Sequence, residues 1–153
     1  MLTDGTTLTR RPRPRVLLAD DNVRLLSALE SFLGEDCDVI GRTQTIADLL
    51  DKALAEQPDV VVLDLRLPDG DGITACRRLK SLVPDTQIVI LTALEDDEVG
   101  KAAIDAGASA YVSKFSDCAL LVPVIRRAYE TRQAAQTGCA RSPDRSAKTP
   151  DGV

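Results

Sequence analysis

The chain has no histidine and no tryptophan, and aromatic residues make up only 3% of it. Without aromatics, a core has to be filled by Val, Leu, Ile and Ala. Without histidine, the commonest nitrogen ligand for zinc is missing, which leaves oxygen or thiolate donors for any metal. The four cysteines, Cys37, Cys76, Cys118 and Cys139, never stand in a C-x-x-C spacing. They read as small apolar residues, the last of them in the tail, and neither a zinc site nor a disulfide framework is implied. No apolar run approaches the roughly 18 residues a membrane span needs. The first 15 residues lack the apolar stretch of a signal peptide. A basic surplus is missing too: the net charge is −5, which argues against a dedicated nucleic-acid binder. These absences predict a soluble, cytoplasmic protein in a reducing compartment.

What is present suits one globular domain. The chain has 153 residues, 44% of them apolar, enough for a single core and too few for two ordinary domains. Residues 1–14 are polar and rich in Pro and Arg (Arg11, Pro12, Arg13, Pro14), and read as a disordered N-terminal arm. Residues 136–153 are polar and aperiodic, and read as a flexible tail. The folded domain is expected over 15–135, with no DNA-binding domain visible.

Within that span, apolar runs alternate with segments of helical period. The runs fall at 16–19, 37–40, 60–63, 88–91 and 110–112. They are strand length and β-branched, as strands covered on both faces require. The helical segments are expected at 22–33, 46–56, 72–82, 96–106 and 117–133. Thr45 and Asp48 resemble a capping box for the second. The run Glu95, Asp96, Asp97 and Glu98 reads as the acidic start of the fourth. The alternation predicts an α/β protein, a doubly wound parallel sheet built as (βα)5.

The informative feature is which polar residues end the runs. The first ends in Asp20 and Asp21, the third in Asp64 and the fourth in Thr92, and Lys114 follows the fifth. In a parallel sheet all strand C-termini lie on one edge, where such sheets bind ligands at the topological switch point. Three carboxylates brought together need a counter-charge. The donors are hard oxygens, so Mg²⁺ fits better than Zn²⁺. A carboxylate beside Mg²⁺ is a nucleophile suited to a phosphoryl group. Lys114 is placed to neutralise the phosphoryl oxygens and Thr92 to donate to one of them. The bland reading makes Asp20 and Asp21 a helix N-cap, Asp64 a turn residue, and Thr92 and Tyr111 ordinary strand residues. Pro68, Gly70 and Gly72 shape the turn after Asp64.

Asp20-Asp21 after a VLLA run, VVVLDLRLPDGDG around Asp64, IVILTA ending near Thr92, and AYVSK ending at Lys114 together resemble the receiver domain of two-component response regulators. The resemblance covers about residues 15–133 and is nearest the NarL/FixJ subfamily. It implies a flavodoxin-like (CheY-like) fold with strand order 2-1-3-4-5. It implies Asp64 as phosphoacceptor, and Mg²⁺ held by Asp20, Asp21, Asp64 and the backbone carbonyl of Arg66. It implies Lys114 and Thr92 as partners of the phosphoryl group, and Thr92 with Tyr111 as a switch. The implied partners are a sensor histidine kinase or phosphotransfer protein and a downstream protein, with no direct nucleic acid and no membrane. The chain is expected to catalyse only its own phosphorylation and dephosphorylation, as a monomer or weak homodimer.

Some positions depart from the family pattern. Phe115 stands where many receivers have Pro, which predicts a trans Lys114–Phe115 bond. Pro123 falls inside the last helix, which predicts either a kink near Ala119 or a start near Pro123. Arg66 and Leu94 flank the site at positions expected to tune dephosphorylation, with Leu94 hindering water. The competing classes are a receiver-fold interaction module that ignores phosphate, a receiver fragment of a transcriptional regulator, and a Mg²⁺ phosphohydrolase. The complete acidic, Thr and Lys set argues against the first. Arg66, where such hydrolases often carry a second acid, argues against the last.

Overall fold

The computed structural model describes residues 13–93, 96–114 and 118–137. Five strands form one parallel sheet: β1 (Arg15–Ala19), β2 (Asp38–Thr43), β3 (Val60–Leu63), β4 (Gln87–Thr92) and β5 (Ala110–Ser113). Their order is β2-β1-β3-β4-β5, as the resemblance implies. Among the described residues, five α-helices connect or follow them: α1 (Val23–Leu33), α2 (Ile46–Glu56), α3 (Gly72–Leu82), α4 (Asp97–Asp105) and α5 (Leu121–Thr137).

The period of 2 along each strand splits the core into two layers. Leu17, Val61, Leu63, Ile88 and Ile90 face α2, α3 and α4, where they join Leu49, Ala53, Ala75, Leu79 and Ala103. Val16, Leu18, Val60, Val62 and Val89 face α1 and α5, where they join Leu26, Leu29, Leu33, Leu121 and Ile125. Aliphatic side chains fill both layers. Among the described residues, Tyr129 is the one buried aromatic of the core.

The second strand is displaced from its expected place at 37–40. Cys37 belongs to the exit from α1, where its amide donates to Leu33 O at 2.8 Å. The strand continues through Gly41, Arg42 and Thr43. It is an edge strand, so Arg42 can face solvent. Thr43 is buried, and its hydroxyl is satisfied there by donating to Leu18 O at 3.1 Å. Gly41, Arg42 and Thr43 interrupt the apolar pattern that marks the other strands.

The last helix resolves the question of Pro123. A short 3₁₀ turn at Cys118–Leu120 leads into α5, and Pro123 is its third residue. First-turn amides have no intrahelical acceptor, so the missing N–H costs nothing there. The helix therefore starts two residues before Pro123. The expected start at 117 lies outside the described residues, as does the Lys114–Phe115 bond. Of the arm expected over 1–14, Arg13 and Pro14 join the domain. The Arg13 guanidinium donates to Gly34 O and Cys37 O, and Asp38 N donates to Pro14 O.

Candidate functional site

The sheet's hydrogen bonding runs past the strand ends and so fixes the residues that follow them. Asp64 N donates to Ala19 O at 2.9 Å, Asp20 N to Thr43 O at 3.0 Å and Lys114 N to Thr92 O at 2.8 Å. Asp20 and Asp64 thus leave neighbouring strands at one level of the C-terminal edge. Both are buried, whereas Asp21 is exposed. One oxygen from each of Asp20, Asp21 and Asp64 lies within 4.8 Å of the others. The Lys114 ammonium reaches in from beyond β5, 2.7 Å from Asp20 Oδ2 and 3.1 Å from Asp64 Oδ2.

Helix capping does not account for Asp20 and Asp21. The N-cap of α1 is Asn22, whose side chain accepts from Leu25 N at 3.2 Å. Asp20 Oδ1 accepts from Asn22 N at 2.9 Å, which aims the other oxygen at the cluster. The loop after Asp64 doubles back at once. Arg66–Leu67 pairs antiparallel with Gly70–Asp71, and Gly72 N donates to Leu65 O at 2.9 Å. A Cβ on Gly72 would lie 2.5 Å from Leu65 Cα and 2.9 Å from Asp64 O, so only glycine closes this loop without displacing the acidic residue. Arg66 N donates to Asp64 Oδ1 at 3.3 Å, which puts the Arg66 backbone beside the carboxylate while its side chain faces solvent.

The electrostatics favour a cation. Burial pushes the Asp20 carboxyl above its ordinary pKa, the nearby Asp64 charge adds to this, and hydrogen bonds from Lys114 and Asn22 only partly offset it. Burial alone would lower Lys114. Its hydrogen bonds and charge contacts with Asp20 and Asp64 outweigh that, and its pKa is raised. One ammonium thus serves two buried carboxylates, and a third, exposed carboxylate stands beside them. An oxygen-only donor set of this kind suits a hard divalent cation.

Thr92 closes β4 and is fully buried. It pairs with Ser113, while Tyr111 pairs with Ile90, so Thr92 and Tyr111 lie on the same face of the sheet. Tyr111 is half-buried and lines a shallow groove of about 390 Å³ with Gly100, Lys101 and Ile104. The structure brings Asp20, Asp21, Asp64 and Lys114 together, with the Arg66 backbone beside Asp64 and Thr92 buried at the end of β4, where its carbonyl accepts from Lys114 N. Tyr111 stands off along the sheet. Leu94 lies outside the described residues.

Asp69 has no role in the sequence pattern. The structure bonds its carboxylate to the first two amides of α2. No local pattern could have shown this, because donor and acceptor belong to different βα units.

The family profile described as response regulator receiver domain matches residues 16–126. This chain belongs to the response regulator receiver family. The DNA-binding transcriptional activator DevR/DosR of Mycobacterium tuberculosis is 45% identical over 102 residues, covering 65% of this chain and 47% of that protein. Among solved structures, a two-component response regulator of the LuxR family from Aurantimonas sp. aligns with a TM-score of 0.76 and 28% identity, covering 82% of this chain and 94% of that one. The BeF3-activated DrrB receiver domain aligns with a TM-score of 0.71 and 32% identity, covering 78% and 99%. The relatives are regulators of the NarL/FixJ type, in line with the subfamily resemblance. The chain spans about half the length of the curated relatives it matches. No described helix of this receiver is long and apolar enough to cross a membrane.

Proposed function

We propose that this receiver accepts a phosphoryl group on Asp64, in the presence of Mg²⁺, from a phosphohistidine on a sensor kinase or phosphotransfer protein. The observation that carries this reading is the meeting of Asp20, Asp21 and Asp64 within 4.8 Å, with Lys114 bonded to two of them. Asp20, Asp21, Asp64 and the Arg66 carbonyl would hold the ion. Bound there, Mg²⁺ supplies positive charge to the transferring oxygens. In the transfer, an Asp64 oxygen forms a bond to phosphorus as the donor's P–N bond breaks. The bonding pair leaves with the imidazole nitrogen, and the imidazole takes up one proton. Lys114 exchanges its carboxylate contact for a phosphoryl oxygen, and the Thr92 hydroxyl donates to another. Positioning and charge do most of the work in such transfers. The chain catalyses only this step and its own dephosphorylation, in which water takes the phosphoryl group from Asp64 and releases inorganic phosphate.

The output is a change of protein surface. Thr92 moving toward the phosphoryl group leaves space on the face it shares with Tyr111, and the tyrosine turns inward. A local charge change thereby biases a two-state element. The half-length match to a DNA-binding activator favours a transcriptional regulator as the system this receiver controls.

The test is incubation with acetyl phosphate, with and without Mg²⁺, followed by intact-mass measurement. A single phosphoryl adduct that needs Mg²⁺ and is lost in Asp64→Asn supports the reading. An unmodified wild type would favour an interaction module that ignores phosphate. Steady phosphate release from many exogenous monoesters would favour a phosphohydrolase.

A further inference from the structure

The loop from Asp64 to Gly72 is held at its base by the Gly72–Leu65 hydrogen bond and at its tip by another helix. An α-helix leaves its first amides without intrahelical acceptors. In α2, Thr45 is the N-cap, and its hydroxyl accepts from Asp48 N, at 3.2 Å. Ile46 N and Ala47 N need acceptors from elsewhere. Asp69 supplies both: Oδ1 lies 2.7 Å from Ile46 N and Oδ2 lies 3.0 Å from Ala47 N. A Cβ on the adjoining Gly70 would lie 3.0 Å from Ile46 Cδ1, so loop tip and helix are in close approach. Asp69 is exposed, and these bonds tie it to α2 rather than to the acidic cluster. Its effect on the site therefore passes through the loop.

We infer that Asp69 is a positioning residue for the metal site. By clamping the loop tip to the α2 N-terminus, it fixes the Arg66 backbone, which lies between the two anchors and beside Asp64. The inference rests on the proposed Mg²⁺ chemistry of this same site. Loss of the clamp leaves every ligand in the chain but lets the Arg66 segment wander, and outer-shell support of this kind is worth about ten-fold or more in metal affinity.

The test is calorimetric titration of Mg²⁺ alone into the wild type, Asp69→Ala, Asp69→Asn and Thr45→Ala. Thr45→Ala removes a cap from the same helix without touching the loop, so it controls for helix stability. Asp69→Ala is expected to weaken Mg²⁺ binding by about ten-fold. Asp69→Asn keeps an acceptor oxygen and recovers part of the affinity, and Thr45→Ala binds as the wild type does. Unchanged affinity in Asp69→Ala would overturn the inference. So would equal losses in Asp69→Ala and Thr45→Ala, which would assign the effect to the helix. Equal losses in Asp69→Ala and Asp69→Asn would overturn it too, by assigning the effect to net charge. A wild type that takes up no Mg²⁺ refutes the metal reading itself, a result distinct from all of these.

Discussion

The Lys114 ammonium lies 2.7 Å from the Asp20 carboxylate, closer than to Asp64 at 3.1 Å. The contact joins the residue after β5 to the residue after β1, and it places one positive charge between two buried acids. Removing it takes that charge from both. Lys114→Met is therefore predicted to destabilise the protein by about 2 kcal/mol, below the roughly 3–5 typical of a fully buried pair because the lysine retains some exposure. Thermal melts in chelator should show the loss, and added Mg²⁺ should recover part of it. A melt insensitive to the substitution would show that the ammonium does not balance these charges.

Asp20 carries the opposite expectation. Burial and the Asp64 charge make its ionisation costly. Asp20→Asn should raise the melting temperature in chelator, by about 4 °C for each 1 kcal/mol relieved. It should also erase the rise expected from Mg²⁺ in the wild type. Paired melts with and without Mg²⁺ check both halves.

Gly72 sets the closure of the loop that follows Asp64. A Cβ there would meet backbone atoms, which cannot swing aside as a side-chain end can. Gly72→Ala is predicted to cost about 1–3 kcal/mol, as overpacking does, and to lower the yield of phosphoryl adduct on Asp64. Urea unfolding and intact-mass measurement on the same variant test the two effects together.

Cys37 and Cys76 are free and buried, and burial pushes each thiol up to about 11. A folded pKa above the unfolded value means that their contribution to stability is whole below the ordinary thiol pKa and is lost as pH rises through about 11. At about pH 8, close to the ordinary thiol pKa, neither should react with a thiol reagent until denaturant is added. Peptide mapping of the labelled protein distinguishes them from Cys118 and Cys139. Rapid labelling of either in the native state would contradict the burial.

The sheet and four members of the site were legible in the sequence because both are governed by strand ends. A buried parallel strand has to be apolar, so the residue that breaks the run announces itself, as Asp20, Asp64 and Thr92 do. Parallel topology then carries those residues to one edge whatever their separation. The pattern fails where a residue answers to another element. Thr43 is accommodated at a buried strand position because its hydroxyl donates to Leu18 O, and Pro123 lies in a helix because its first turn asks for no donor there. Asp69 sits in the motif around Asp64, yet the amides it satisfies lie more than twenty positions earlier.

The sharpest test of the metal site is calorimetric titration of Mg²⁺ into the wild type and Asp21→Asn. Asp21 is exposed, so Asp21→Asn is expected to leave the fold intact while replacing one carboxylate oxygen with an amide nitrogen and removing the charge. Saturable uptake of one ion is expected in the wild type, and binding at least about ten-fold weaker in the variant. Heat of dilution alone from the wild type, or equal affinity in the two proteins, would contradict a magnesium site built on these three carboxylates.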